Sequence, residues 1–233
     1  MADRREFRQP RFAPTQGACE ILLVRHGESA PLIEGGSFPL VGGHADPPLH
    51  PDGRVQAVQV AKRLVSTGER IAAVYVTTLI RTHQTAAPLL AEIGLQATVE
   101  GDLREVFLGD WEGGLLRHKI ADGDPIALQM FAEQRWDVIP NAEPATEFEA
   151  RVRGGIERIA AAHPDQLVVA VVHGGVIGQV MKIATGGSGF AFNGADNASI
   201  SHLVVTADRW IVRCFNDTSH LSPTFSSAPQ PPT

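Results

Sequence analysis

The sequence predicts an α/β fold of three layers: helices on both faces of a mostly parallel, twisted sheet, with a small helical cap inserted in the second half of the chain. Three observations carry that expectation. Short apolar runs alternate with segments of helical spacing along most of the chain, which is the order that builds parallel sheets. The strongest run, Leu167–Val172 (LVVAVV), is apolar at every position, as a strand covered on both faces must be. Two of these runs end in a His-Gly pair, and open α/β sheets bind ligands at the carboxyl ends of their strands.

In chain order, Glu20–Val24 (EILLV) is a strand of fully buried type. Pro51–Ser66 opens on a Pro-Asp turn and carries Val55, Val58, Ala61, Leu64 and Val65 at helical spacing, which predicts a helix with that face inward. Ile71–Val76 reads as a strand and Leu79–Ile93 as a helix. Thr146–Ala162 is helical, with Thr146 and Glu149 three apart in the capping-box pattern. The strand Leu167–Val172 feeds a helix over Gly174–Thr185. Gly186-Gly187-Ser188-Gly189 lacks the Lys-Ser/Thr of a P-loop and ends that helix. Ile200–Thr206 and Trp210–Phe215 form a closing hairpin around Ala207–Asp208. The cap, Gly114–Asn141, holds Ile126, Leu128, Met130, Phe131 and Trp136, a stripe that reads as packing. Residues 18–221 thus make one domain with a cap insertion at about 107–147. A loosely ordered basic arm, 1–17, precedes it, and a Pro/Ser-rich disordered tail, 222–233, follows.

Composition narrows the function. The chain has 233 residues, with 20 Lys and Arg against 26 Asp and Glu, for a formal net charge of −6. Nucleic-acid binding needs clustered cations, so no nucleic-acid partner is expected. No apolar run approaches the roughly 18–20 residues that span a bilayer, so no membrane is expected either. The N-terminus has no apolar secretion core, so a cytoplasmic protein is expected. Cys19 and Cys214 cannot build a disulfide framework or a four-thiolate site and read as buried small hydrophobes. Nine histidines occur, but none falls in an HxxxH or HExxH pair, so no metal is expected.

Four segments carry chemistry. Arg25-His26-Gly27-Glu28-Ser29 leaves the strand EILLV. A guanidinium grips a phosphate dianion through two N–H groups, a neutral imidazole is nucleophilic near neutral pH, and glycine lets backbone approach a ligand. His173-Gly174-Gly175 leaves LVVAVV, and the helix starting at Gly174 adds free N–H groups and a positive dipole end suited to an anion. Arg81 lies in the first turn of the helix after IAAVYV, where it completes a phosphate clamp, while His83 faces elsewhere. The segment Leu103–Gly113 (LREVFLGDWEG) offers a carboxyl group to protonate a leaving oxygen. Glu105, in its apolar stretch, is the candidate, and Asp110 and Glu112 are its rivals.

Together the RHG triplet, the Leu-x-Arg-x-x-Gln-Thr-Ala run beginning at Leu79, the LREVxLGDWEG segment and the late HGG resemble the histidine phosphatase superfamily, also called phosphoglycerate-mutase-like, over roughly residues 19–215. The resemblance implies that His26 is the nucleophile forming a phosphohistidine, that Arg25, Arg81 and His173 bind the phosphoryl group, and that Glu105 gives a proton to the leaving group and later takes one from water. It implies no cofactor and no metal. Family mutases carry a longer, basic, Tyr-containing insertion that ends near an Arg-Arg pair. Here Val106–Glu147 has no such pair, its only cationic cluster is Arg117, His118 and Lys119, and the chain's single Tyr is Tyr75, so the cap resembles the phosphatase type. The family's Asn after RHGE[ST], a phosphate contact, is absent from Ala30-Pro31-Leu32. Ser29, and His44 in the Gly- and Pro-rich loop Gly35–Pro48, are further candidate substrate contacts. Asp122, Asp124 and Glu133 in the cap disfavour a second phosphate.

The resulting expectation is a metal-independent phosphomonoesterase acting through a phosphohistidine on a small phosphorylated metabolite. The alternatives are a cofactor-dependent phosphoglycerate mutase and a non-catalytic phosphoryl-ligand binding protein. Family members are often dimers, which leaves open a homodimer paired through residues 199–215.

Overall fold

A computed structural model describes residues 6–222. Its strands and helices are, in order, β1 (Cys19–Arg25), β2 (Leu40–Val41), β3 (His44–Ala45), α1 (Pro51–Ser66), β4 (Ile71–Val76), α2 (Ile80–Ile93), β5 (Ala97–Val99), α3 (Leu115–Ala121), α4 (Pro125–Glu133), α5 (Ala145–Ala162), β6 (Leu167–Val172), α6 (Gly174–Thr185), β7 (Ile200–Val205) and β8 (Trp210–Asp217). The main sheet has the order β5-β4-β6-β1-β7-β8. β5, β4, β6 and β1 run parallel, and β7 and β8 continue the sheet antiparallel. β2 and β3 form a separate small hairpin.

The apolar run of β6 explains the layering. Successive side chains alternate between faces. Val168, Ala170 and Val172 join Ile21 and Leu23 under α5 (Phe148, Val152, Ile156, Ile159) and α6 (Val176, Ile177, Val180, Met181). Val169 and Val171 join Val24, Val74 and Val76 under α1 (Val60, Ala61, Leu64) and α2 (Ala86, Leu89). Fully burying each such aliphatic side chain contributes about 1.5–3 kcal/mol, so both faces hold the central strands in register. The carboxyl ends of β1, β4 and β6 then lie side by side, with Arg25 opposite Val172.

Several details differ from the sequence reading. In α1 the buried residues are Gly53, Ala57, Val60, Ala61 and Leu64, while Val55, Val58 and Val65 are 57%, 41% and 41% exposed. The cause is steric. A Cβ on Gly53 would collide with the backbone of Glu28, and one on Gly27 with the backbone of Gly53. The first turn therefore presents Gly53 to the loop after β1, and the buried face keeps the expected Ala61 and Leu64 but adds Ala57 and Val60 in place of Val55, Val58 and Val65. The capping box does not form either. α5 begins at Ala145, one residue before Thr146, and the Ala145 N–H donates to Asp137 Oδ2 at 3.2 Å. Glu149 instead accepts from Gln179 Nε2 at 3.1 Å. Cys19 is buried, and burial pushes its thiol up to about 12. Cys214 is exposed, on the edge strand β8.

Residues 6–17 form no helix or strand, and Phe12 lies 3.8 Å beneath the Arg213 guanidinium. Arg4 and Arg5 of the expected arm, and residues 223–233 of the expected tail, lie outside the described residues. Between Glu105 and α5, helices α3 and α4 and short 3-10 turns gather around Trp111, Leu116, Ala127, Met130 and Ile139. Of the expected stripe, Met130 is buried, but Leu128 and Phe131 face outward. No described helix is long and apolar enough to cross a membrane.

The inward face of α1 can be checked by substitution. Gly53→Ala should destabilise the protein by about 1–3 kcal/mol through backbone displacement, whereas Val58→Ala should change stability by less than about 0.5 kcal/mol. Chemical unfolding of the two variants measures both, and equal losses would contradict the assignment.

Candidate active site

A cavity opens at the carboxyl edge of the sheet. Arg25, His26, Arg81 and Glu105 line it on the sheet side, and Phe38, Leu108, Trp111, Leu116 and Trp136 supply apolar walls. His26 sits in the crook of the β1 loop. Its backbone N–H donates to Val172 O at 3.0 Å, and its carbonyl accepts from Asn197 Nδ2 at 2.9 Å. Its Nδ1 lies 2.7 Å from Gly27 O. A carbonyl only accepts, so Nδ1 carries the proton and Nε2 keeps its lone pair. Burial, and then the charges of Arg81 and Arg25, hold the imidazole well below its ordinary value. The ring is therefore neutral at neutral pH.

His173 is fully buried behind His26, their ring centroids 5.2 Å apart, and does not line the cavity wall. Its Nε2 lies 2.9 Å from Thr77 Oγ1, which itself accepts the Leu79 N–H at 3.3 Å. Thr77 Oγ1 also lies 3.3 Å from Thr82 Oγ1, whose own hydroxyl donates to Leu79 O. The other ring nitrogen of His173, Nδ1, is buried and has no protein partner among the described residues. Burial also holds His173 well below the ordinary imidazole value.

The two arginines are buried cations. Arg25 Nη1 donates to Ala195 O. Arg81 Nη1 donates to Ala45 O at 3.0 Å and lies 3.9 Å from Asp46 Oδ1. Burial lowers both, Arg81 to about 10, and a guanidinium stays charged in a protein at neutral pH. The glycines of the second motif make room for charged groups. A Cβ on Gly174 would press on the Arg25 guanidinium, and one on Gly175 would strike the Glu105 carboxylate. Gly174 itself lies against Arg25 and does not line the cavity.

Glu105 accepts from Val106 N–H at 3.0 Å and from Gly175 N–H at 3.1 Å, at the start of α6. Its loop is held by Arg151 of α5, whose guanidinium donates to the carbonyls of Asp102, Arg104 and Glu105 at 2.7, 2.7 and 2.9 Å. Glu143 fixes that guanidinium through two bonds, at 2.6 and 2.8 Å. The rivals of Glu105 are occupied otherwise. Glu112 lines the cavity but accepts from the N–H groups of Ala45 and Leu108, and the exposed Asp110 accepts from Asn141 Nδ2.

Ser29 and His44 both line the cavity. Ser29 Oγ accepts from Arg117 Nη2 at 2.8 Å, and His44 packs on Phe107 with its Nδ1 at 3.3 Å from Gly42 O. His83 turns away, its Nε2 at 2.8 Å from Thr77 O. Asp122, Asp124 and Glu133 do not reach the cavity wall. Asp124 caps α4 and pairs with Lys119 at 2.7 Å. The case for a single phosphate therefore cannot rest on those acids. Sequence reasoning passed over Arg151 and the cavity-lining Arg117, although Arg117 belongs to the one cationic cluster noted in the cap. The assembled groups can displace a leaving group from phosphorus: a neutral imidazole with a free lone pair, two guanidinium groups beside it, and a carboxyl group at the same cavity.

A sequence model of the histidine phosphatase superfamily (branch 1) matches residues 21–218. A metal-independent phosphoserine phosphatase of Arabidopsis thaliana is 32% identical over 206 residues, covering 87% of this chain and 83% of that protein. The native structure of mycobacterial glucosyl-3-phosphoglycerate phosphatase superposes with a TM-score of 0.71 at 27% identity, over 86% of this chain and 100% of the other. A phosphoglycerate mutase from Bacillus anthracis shares the fold, with a TM-score of 0.72 at 22% identity over 88% of this chain and 96% of the other.

The neutral histidines set a pH dependence. Below the ordinary value of 6.5, the unfolded chain takes up protons that buried His26 and His173 do not. Stability therefore falls as pH drops through that value, by up to about 1.4 kcal/mol per pH unit for each ring. Unfolding free energies between pH 7.5 and 5 should show this slope, and His173→Gln should flatten it. An unchanged slope in the variant would contradict a neutral His173.

Proposed function

The chain belongs to the histidine phosphatase superfamily and is a phosphoric monoester hydrolase, and we propose that it acts without a metal ion, through a phosphohistidine at His26, on a small phosphorylated metabolite. The carrying observation is the His26 ring: Nδ1–H tied to Gly27 O, Nε2 unprotonated, and the whole imidazole kept neutral beside two buried cations.

In the first step Nε2 of His26 bonds to phosphorus as the bond to the leaving oxygen breaks, and Glu105 donates its proton to that oxygen. Arg25 and Arg81 take up the charge on the phosphoryl oxygens, and His173, which the family resemblance assigns to the phosphoryl group, stands directly behind His26. In the second step a water oxygen bonds to phosphorus, the N–P bond breaks, and the Glu105 carboxylate takes the water proton. Inorganic phosphate leaves, and both residues return to their starting states. A loose phosphoryl-transfer transition state asks mainly for positioning and charge stabilisation, which these groups supply.

The guanidinium groups of Arg25 and Arg81 on the cavity wall supply positive charge of the kind a metal ion would bring. Among the described residues, Glu28, His50 and Asp52 form a group with ligand atoms close together, and none of them lines the cavity. The cap supports hydrolysis over mutase activity, because the segment between Glu105 and α5 is built from two short α-helices and short 3-10 turns, and its sequence has no Tyr and no Arg-Arg pair like the insertion of family mutases.

Hydrolysis of p-nitrophenyl phosphate should persist in EDTA and fall by about 10³-fold or more in His26→Ala. Wild-type rates in that variant, or loss of activity in EDTA, would overturn the mechanism. Glu105→Gln should slow an alkyl phosphate by about 10²–10⁴-fold but p-nitrophenyl phosphate far less, since p-nitrophenolate leaves without a proton. Arg151→Met should shift the same ratio in the same direction, because it frees the loop that aims Glu105. Equal losses on both esters would remove Glu105 from the acid role.

A further inference from the structure

Thr77 is a polar residue that the proposed chemistry does not use. It follows β4, and its side chain stands between His173, at the end of β6, and Thr82, in the first turn of α2 beside Arg81. All three, Thr77, Thr82 and His173, are fully buried. Three hydrogen bonds fix Thr77. Its N–H donates to Thr82 Oγ1 at 3.1 Å, its carbonyl accepts from His83 Nε2 at 2.8 Å, and its Oγ1 accepts the Leu79 N–H at 3.3 Å. What these bonds leave open is the direction of the hydroxyl proton. Two acceptors lie within its reach, His173 Nε2 at 2.9 Å and Thr82 Oγ1 at 3.3 Å. Thr82 directs its own proton to Leu79 O at 2.8 Å, which is closer than Thr77 O at 3.5 Å.

Two arrangements satisfy every hydroxyl of this group. In one, Thr77 donates to Nε2 and the ring proton of His173 sits on Nδ1. In the other, Nε2–H donates to Thr77 Oγ1, which turns its own proton to Thr82. The contact with Nε2 persists in both, so Thr77 holds the ring in place and leaves Nδ1 as the nitrogen that no protein group takes among the described residues. Burial, then Arg81, His26, Arg25 and His44 around the ring, disfavour a second proton on it. A phosphoryl oxygen bearing charge only accepts hydrogen bonds, so an anion beside the ring selects the arrangement with Nδ1–H. We propose that Thr77 is a positioning residue for the reaction, whose hydroxyl donates to Nε2 of His173 in the anion complex and thereby reserves Nδ1–H for a phosphoryl oxygen. This inference rests on His173 as a phosphoryl ligand in the function proposed above.

Nitrogen NMR of histidine-labelled enzyme reads the ring directly, with the His173 signals assigned by their loss in His173→Gln. In the complex of wild type with inorganic phosphate, the ring proton should lie on Nδ1, and Nε2 should be unprotonated and hydrogen-bonded. Thr77→Val keeps the side-chain shape and removes the hydroxyl. It should weaken vanadate binding, measured by calorimetry, and lower kcat/KM for p-nitrophenyl phosphate, each by about 10- to 100-fold, the effect of one buried hydrogen bond lost. Thr77→Ser should recover most of both. A ring protonated only on Nε2 in the phosphate complex would overturn the assignment. So would Thr77→Val that loses stability to denaturant but keeps wild-type vanadate affinity, or Thr77→Ser no better than Thr77→Val. Should Thr77→Val not fold, the ring signals of wild type decide alone. The ring and vanadate measurements do not need turnover: if they come out as expected while wild type hydrolyses nothing, the hydrolytic function fails and the assignment of Thr77 stands.

Discussion

Arg25 and Arg81 are buried at the carboxyl edge of a parallel sheet, and most of the site is arranged around that constraint. Withdrawing a guanidinium from water costs several kcal/mol unless hydrogen bonds and opposite charges offset it. Carbonyls of Ala195 and Ala45 take hydrogen bonds from the two groups, and Asp46 stands near Arg81. The same two charges, added to burial, keep His26 unprotonated. One electrostatic arrangement thus brings two cations beside a neutral imidazole, the proposed anion-binding place and nucleophile.

Close backbone approach is the second constraint, and it gives the motif glycines a meaning different from the one first read. Gly27 and Gly53 bring the His26 loop against the first turn of α1, and Gly174 and Gly175 leave space for Arg25 and Glu105. These glycines admit the protein's own backbone and charged side chains. Arg151 adds rigidity from the other side, with three carbonyl contacts on the loop that carries Glu105. The proposed nucleophile His26, the two arginines and the proposed acid Glu105 therefore stand on rigid supports, as precise phosphoryl transfer requires.

Much of the scaffold was legible in the sequence for simple reasons. β1, β4, β6 and the β7–β8 hairpin are dense apolar runs, and both histidines follow such runs directly. β2, β3 and β5, of two or three residues each, leave no periodic signal. The inward face of α1 was legible in Ala61 and Leu64, but not in Gly53, because a close backbone contact leaves no mark in hydrophobic spacing. The exposure of Cys214 follows from its place on an edge strand, which spacing alone does not reveal. Arg117 and Arg151 were invisible as site residues because their partners, Ser29 and the loop Asp102–Glu105, are distant in sequence.

The central claim is that His26 Nε2 carries the phosphoryl group between substrate and water. The direct measurement is rapid acid-free quenching of the enzyme during turnover of a ³²P-labelled phosphomonoester, followed by alkaline digestion and mass spectrometry of the labelled peptide. The account predicts an acid-labile, base-stable phosphate on the peptide containing His26, absent from His26→Ala and longer-lived in Glu105→Gln. Label on another residue, or turnover with no trapped phosphoenzyme even in Glu105→Gln, would contradict it.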